Sequence, residues 1–149
     1  MASQTDFIKQ LTIIWLALIA GLVIFMGMAF LVLIPQSTSE PIDASIYYVI
    51  AVVLATAGMF SSTVMYKIQV RSAAQLVNPV PERLMAHYQT ALIIKLSLLE
   101  GPGLFSIVAA IITQQTLFAA LTAGIVVLMI IAKPSELQFR EDFLNGRDL

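Results

Sequence analysis

The feature that most constrains this chain is an uncharged run of 24 residues from Leu11 to Ile34. About 20 apolar residues in a helix are enough to cross the hydrocarbon core of a bilayer, which is about 30 Å thick. A secretory signal peptide is the alternative interpretation, but its apolar region has only about 7–15 residues and ends at a small-residue cleavage site. This run is longer and ends at Pro35. We therefore interpret it as a retained membrane span.

The composition of the whole chain agrees with a membrane protein. Of its 149 residues, 59% are hydrophobic and 11% are charged, whereas soluble domains have about 45–50% apolar and about 25% charged residues. A soluble fold of this size leaves roughly 30% of the unfolded chain's surface exposed, so lipid must solvate much of this surface. Eight basic against nine acidic residues argue against nucleic-acid binding. The absence of cysteine excludes disulfides, thiol catalysis and Cys-ligated metals.

Three further apolar segments predict membrane spans, at about 46–65, 89–113 and 117–132. A polar connection separates the first two spans, whereas only Gln114-Gln115 and flanking threonines separate the last two. Antiparallel neighbours are expected for helices joined by so short a turn. The sequence therefore predicts an all-α, polytopic membrane protein. Its four transmembrane helices, the first at 11–34, form an antiparallel bundle, and residues 1–149 form a single membrane domain.

Seven of the eight basic residues lie on one side of this arrangement, and loops rich in Lys and Arg stay cytoplasmic. These seven are Lys9, Lys67, Arg71, Arg83, Lys133, Arg140 and Arg147. We therefore expect both termini, the hairpin tip at 66–88 and the tail at 133–149 to be cytoplasmic. The compact design, with little chain outside the spans, favours a bacterial inner membrane.

The second and third spans are expected to extend into the cytoplasm as a helical hairpin. Apolar positions continue the second helix toward Val77, and the prolines at 79 and 81 disfavour helix at the turn between the two. Pro81 suits the first turn of a new helix that runs to Thr113 and is about 50 Å long. Tyr66 and Tyr88 lie at the predicted inner boundary, where interfacial aromatic residues are common.

The tail resembles a short amphipathic helix. Ser135 is placed to cap it, Asn145-Gly146 to end it, and Leu137, Phe143 and Leu144 to form one apolar patch. Docking of this patch under the bundle and binding of a partner are the two interpretations.

Small residues recur at four-residue spacing in three of the spans. Such residues let helix backbones approach closely in lipid, where water drives no association. They serve either packing within the bundle or contacts with a second copy or a larger partner. The pairs are Ala17 and Gly21, Ala51 and Ala55, Gly58 and Ser62, and Ala120 and Gly124.

Glu100 is the candidate functional residue, because it lies near the middle of the third span. A charged residue at this depth costs about 2.5–3.5 kcal/mol on insertion scales and usually faces protein or water. Gly101, Pro102 and Gly103 follow it and predict a helix break that frees the Leu98 carbonyl. Glu100 is therefore a proton- or ion-binding candidate, a neutral hydrogen-bonding group that locks the kink to a neighbouring helix, or a contact with another subunit.

Lys95 is a secondary polar candidate. It is the second charge within the predicted third span, and its long side chain can reach toward the cytoplasmic surface. Five residues separate it from Glu100, which places the two on different faces of one helix.

A partial family resemblance starts from two segments, VRSAAQLVNPVPERL and TALIIKLSLLEGPGLFSIVAAI. Residues 59–112, which include both, resemble the helical hairpin of rotary ATP synthase c subunits. In that family two helices meet at a cytoplasmic polar loop, and the second helix carries a mid-membrane carboxylate that binds a proton or a sodium ion. The resemblance implies this ion-binding role for Glu100. It covers about a third of the chain, and two additional spans flank the hairpin.

The sequence favours two non-catalytic functions. It contains one His, no HExxH, no GxSxG and no glycine-rich phosphate loop, so we predict no enzyme activity, no cofactor and no metal site. The first hypothesis is a structural, assembly or regulatory subunit of a larger membrane complex. The second is a proton- or cation-binding membrane protein that uses Glu100. The expected partners are the lipid bilayer and a protein partner or homo-oligomer within it, with no nucleic acid and no identifiable small-molecule substrate.

Overall fold

A computed structural model describes residues 4–35, 42–77 and 80–144 of the chain. All regular elements among these residues are helices, which confirms the predicted all-α class. Helix α1 spans Gln4–Met28 and continues as a π-helical turn over Ala29–Leu33. Helices α2 (Ser45–Ala74), α3 (Pro81–Thr113) and α4 (Leu117–Ile131) follow. A short helix, α5 (Glu136–Phe139), continues as a π-helical turn over Arg140–Leu144.

Three of these helical segments are long and apolar enough to cross a membrane. Segments of this kind are typical of an integral membrane protein. The three segments have 28, 30 and 33 residues and are Asp6–Leu33, Ser45–Ala74 and Pro81–Thr113. Helix α4 has only 15 residues, or about 22 Å at 1.5 Å per residue, which is less than the hydrocarbon thickness. It reaches the required length only if α4 and α5 count as one span, and these two meet at a bend of 69°.

The boundaries of α2 and α3 follow from local sequence. Asp43 precedes α2, and its Oδ1 accepts hydrogen bonds from the Ser45 N–H (3.0 Å) and the Ser45 hydroxyl (2.8 Å). The backbone N–H, followed by the hydroxyl, lowers the pKa of Asp43 below its ordinary value. Helix α2 ends at Ala74, three residues before the predicted end at Val77, and the Asn78-Pro79 break lies outside the described residues. Helix α3 begins at Pro81, as predicted.

Helix α3 is the centre of the bundle, since it packs against α1, α2 and α4. The turn from α3 to α4 is tight because Gln114 adopts a left-handed conformation with φ 56° and ends α3. Helices α1 and α4 are joined by the Trp15 indole N–H, which donates to the Met129 carbonyl at 2.7 Å. The last four carbonyls of a helix lack a donor within that helix. Trp15 supplies a donor to one of these carbonyls in α4.

Helix α5 closes one end of the bundle through what we call the aromatic cluster: Phe7, Tyr66, Tyr88, Phe139 and Phe143. Phe139 is fully buried, and its ring centroid lies 5.3 Å from that of Tyr88. The Tyr88 hydroxyl also accepts a hydrogen bond from the Ser135 N–H at 3.2 Å. Four separate segments of the chain therefore meet in this cluster.

The tail differs in one respect from its predicted pattern. The Ser135 hydroxyl accepts from the Gln138 N–H at 3.1 Å and caps α5, and Phe143 and Leu144 are buried. Leu137, however, is 67% exposed, so its place in the predicted patch is wrong. Phe139 takes that place because its ring finds aromatic neighbours on α1 and α3. The predicted end at Asn145-Gly146 lies outside the described residues.

Candidate functional site

Glu100 lies well inside α3, far from either end. It is 19 residues from Pro81 and 13 from Thr113, or about 28 Å and 20 Å along the axis. Its neighbours Leu99, Pro102 and Gly103 are buried among the helices, whereas Glu100 itself is half-buried and Gly101 is exposed. Glu100 therefore lies at the border between the packed face and the outer face of α3.

The Glu100 carboxyl has no hydrogen-bond or ion-pair partner among the residues that the structure describes. Buried polar groups in proteins are nearly always hydrogen-bonded, and unsatisfied ones are costly in hydrocarbon, where water is absent. Among the described residues, Glu100 therefore forms no hydrogen bond that joins α3 to another helix.

The predicted helix break at Gly101, Pro102 and Gly103 is wrong, because α3 remains helical from Pro81 to Thr113. A proline inside a helix removes one hydrogen bond, but packing on both sides compensates here. Pro102 and Gly103 are both buried, and Gly103 contacts α1 and α4. A Cβ on Gly103 would lie 3.0 Å from Leu22 Cδ2 and 3.5 Å from Ile125 Cγ2.

The Leu98 carbonyl, which loses its helical donor to Pro102, faces Gly58 of α2. A Cβ on Gly58 would lie 2.6 Å from the Leu98 oxygen and 2.9 Å from Pro102 Cγ. The glycine lets the α2 backbone approach this oxygen directly, and Cα–H···O contacts of this kind recur where helices approach closely. The carbonyl is thus covered by α2 and is not a ligand beside Glu100.

Lys95 and Glu100 are not brought together. The Lys95 ammonium lies 5.0 Å from the centroid of the Tyr66 ring, a cation–π arrangement on the α2 side of α3. The Tyr66 hydroxyl donates to Asp142 Oδ2 at 2.6 Å. Lys95, Tyr66 and Asp142 therefore form one connected polar group, which shares Tyr66 with the aromatic cluster.

Asp142 is a residue that sequence reasoning missed. It lies 76 residues from Tyr66 in the chain, and no local pattern links the two. The available signal was the acidic pair Glu141-Asp142 in the tail, which becomes informative once the tail is known to dock. Tyr66 and Tyr88 are buried in the aromatic cluster at one end of the bundle.

The small-residue candidates separate into two groups. Ala51, Gly58 and Ser62 are buried, and Ala55 is half-buried; these four lie on the face of α2 that packs on the rest of the bundle. The remaining four are exposed, and a Cβ on either glycine would have no neighbour within 4 Å. These four are Ala17, Gly21, Ala120 and Gly124.

An apolar groove of about 390 Å³ lies between α2 and α4, beside Pro102 of α3. Ala55 and Met59 form one wall, and Ala120 and Gly124 form the other. Thr56 also borders the groove, but its hydroxyl already donates to the Val52 carbonyl at 2.8 Å. The groove therefore suits aliphatic contacts with lipid and offers little to a polar ligand.

Within the described residues, no three His, Cys, Asp or Glu side chains lie close enough together to hold a metal ion. Comparisons with protein-family models, with curated proteins and with solved structures found no match to this chain.

Proposed function

We propose that this chain is a non-catalytic subunit of a membrane complex, and that the Glu100 side of α3 binds a protein partner within the bilayer. The observation that carries the proposal is the Glu100 carboxyl, which lies deep in α3 with no partner among the described residues. Intramembrane carboxyl groups usually face protein or water. A neighbouring subunit meets this requirement by supplying the missing hydrogen-bonding group.

The finer topology belongs to the same proposal. Helix α4 forms the fourth crossing, at about 117–132, which is short for a membrane span. Basic residues, which are frequent in cytoplasmic loops, favour placing both termini, the 66–88 tip and the tail in the cytoplasm. In this orientation the aromatic cluster lies at the cytoplasmic end of the bundle. We assign the protein to a bacterial inner membrane.

Proton or cation binding by Glu100 is the alternative function, and the resemblance to the c-subunit hairpin supports it. One observation weighs against it: the Leu98 oxygen, the second ligand that Pro102 was expected to free, is covered by Gly58. A cation held by a single carboxylate in lipid lacks the several oxygen ligands that such ions require. A bound proton needs only the carboxylate, so the test below includes proton transport.

Gentle detergent extraction of the full chain followed by native mass measurement tests the proposal. We expect the wild type to retain a protein partner, either another protein or a second copy. Glu100→Ala is expected to release that partner because it removes the hydrogen-bonding group, whereas Glu100→Gln keeps an amide of the same shape and retains it. Glu82→Ala, in the exposed first turn of α3, is the matched control. A wild-type monomer with nothing bound would refute the proposal.

Proton flux into liposomes separates the two functions. Loss of flux in Glu100→Gln, with assembly unchanged, would favour proton binding over a structural role. The Glu100→Gln variant leaves a structural partner in place. It abolishes any function that depends on titration, because the amide that replaces the carboxyl group does not titrate.

A further inference from the structure

Ser97 is a polar side chain on the outer part of α3 that has no hydrogen-bond partner among the described residues. The helix contains four Ser and Thr side chains, and three of them donate to the carbonyl four residues earlier, at 2.7–2.9 Å. These three are Thr90, Ser106 and Thr113. Ser97 is exposed and forms no hydrogen bond with any residue that the structure describes. It lies three residues before Glu100, which places it about one turn away on a neighbouring part of the surface.

We propose that a second copy of this chain binds this face, with Ser97 of each copy donating its hydroxyl to the Glu100 carboxyl of the other. The inference rests on the proposed function and names the partner. A hydroxyl supplies the donor that a carboxyl lacks. Each copy carries one unsatisfied donor and one unsatisfied acceptor, so the face is complementary to itself.

Two-fold symmetry lets both copies use the same donor and acceptor. In a two-fold interface the same patch is used on both subunits, so a contact from Ser97 to Glu100 occurs twice. The two residues are separated by about 4.5 Å along the helix axis, a distance that a Glu side chain can span across a close helix crossing. Two copies inserted with the same topology place Ser97 of both copies at one depth and Glu100 of both copies at another.

The surface around this pair permits a close approach. Gly101 is exposed, and a Cβ placed on it meets no heavy atom within 4 Å. Small residues at such positions let two membrane helices come into backbone contact. Leu104, Val108 and Ile112 continue the same exposed face toward the end of α3 and supply apolar contact on either side of the two hydrogen bonds. The occupant is therefore a helix, not an isolated ligand.

Single-cysteine crosslinking in liposomes tests this inference, because the chain contains no native cysteine. Gly101→Cys is expected to form a disulfide-linked dimer under mild oxidation. Phe60→Cys is the matched control: Phe60 is 70% exposed on α2 and lies two residues from Gly58, which contacts α3 beside Leu98 and Pro102 at this depth. We expect no crosslink from this control.

Two further variants test the hydrogen bonds themselves. Ser97→Ala is expected to lower the association constant of the dimer about tenfold, which matches the loss of two intramembrane hydrogen bonds of average measured strength. Gly101→Leu is expected to abolish the dimer by preventing close approach, with an unchanged circular dichroism spectrum because the position is open. Fluorescence energy transfer between labelled copies gives both constants.

Equal crosslinking from Gly101→Cys and Phe60→Cys, or none from Gly101→Cys, would overturn the second-copy assignment. If native mass measurement then finds a different protein bound, the proposed function stands and only this inference fails. If it finds a monomer with nothing bound, both fail. An unchanged association constant in Ser97→Ala would also overturn the inference, because the dimer would then not depend on the Ser97 hydroxyl.

Discussion

Replacement of Gly58 by alanine is expected to separate α2 from α3 at their closest point. The added methyl group would lie 2.6 Å from the Leu98 oxygen and 2.9 Å from Pro102 Cγ. Ordinary van der Waals contact begins at 3.4 Å, so the helices must move apart by about 0.8 Å. Neither atom can rotate away, since one belongs to the backbone and the other to a proline ring. The strain therefore spreads along the packed interface.

The expected cost combines two opposing effects. Overpacking a tight interface costs about 1–3 kcal/mol, and the rigid neighbours place this substitution in the upper part of that range. Alanine in place of glycine inside a helix returns up to about 1 kcal/mol. The net loss in the free energy of unfolding is thus about 1–2 kcal/mol. For a chain of this length this corresponds to a fall in the unfolding midpoint of about 2–8 °C.

Three other glycines provide matched comparisons for the same substitution. A methyl group on Gly103 would meet Leu22 Cδ2 at 3.0 Å, which is the end of a side chain and not backbone, so the expected cost is smaller than at Gly58. A methyl group on Gly21 or Gly124 would have no neighbour within 4 Å, and these variants gain helix propensity without strain. The expected order of stability is Gly58→Ala below Gly103→Ala, with Gly21→Ala and Gly124→Ala at or above the wild type.

Reversible unfolding in mixed detergent micelles, followed by far-ultraviolet circular dichroism, measures these differences. The reasoning would be refuted if Gly58→Ala were as stable as Gly21→Ala. That result would mean that Gly58 does not form the crossing point of α2 and α3, and that the Leu98 carbonyl is not covered as described.

Other variants test the remaining contacts. Phe139→Ala is expected to cost about 3–5 kcal/mol as a large-to-small change in a filled cluster and to release the tail to limited proteolysis, whereas Leu137→Ala, at an exposed position, should leave cleavage unchanged. Trp15→Phe removes the donor to the Met129 carbonyl. It should cost about 0.6 kcal/mol, the average for hydrogen bonds in a membrane bundle, and at most about 1.7 kcal/mol; an unfolding midpoint equal to the wild type would contradict this. The Asp43 carboxylate stabilises the start of α2 fully above its unfolded pKa of 3.8, and this contribution is lost as pH falls through its lower folded pKa. Amide exchange in the first turn of α2 should therefore become faster in acid. Asp43→Asn should remove that acid dependence.

Much of the helical fold could be predicted because its signals are local. An apolar run of sufficient length predicts a span wherever it occurs, and Pro81 identifies the start of α3 because its ring suits a first helical turn. The capping of α5 by Ser135 depends on residues only three apart. The position of Glu100 deep in a long apolar helix could likewise be read from the sequence alone.

The errors concern contacts between distant parts of the chain. The sequence shows that Pro102 removes a donor from the Leu98 carbonyl, but not that Gly58, forty residues earlier, covers that oxygen. Because that neighbour was unknown, a break was predicted where the helix continues. The placement of Leu137 in the apolar patch failed for a similar reason, since aromatic rings on α1 and α3 contact Phe139 and set which side of α5 is buried.

The aromatic cluster also imposes an order on biosynthesis. Its contributions from α1, α2 and α3 are translated before α5 supplies Phe139 and Phe143. At about 5–20 residues per second, the ribosome needs about 3–10 s to extend the chain from Tyr88 to Phe139. During this interval that end of the bundle is open, and Tyr66 has yet to meet Asp142. The cluster therefore cannot be completed before translation reaches Phe143, and until then only the three long helices can bring their cluster residues together.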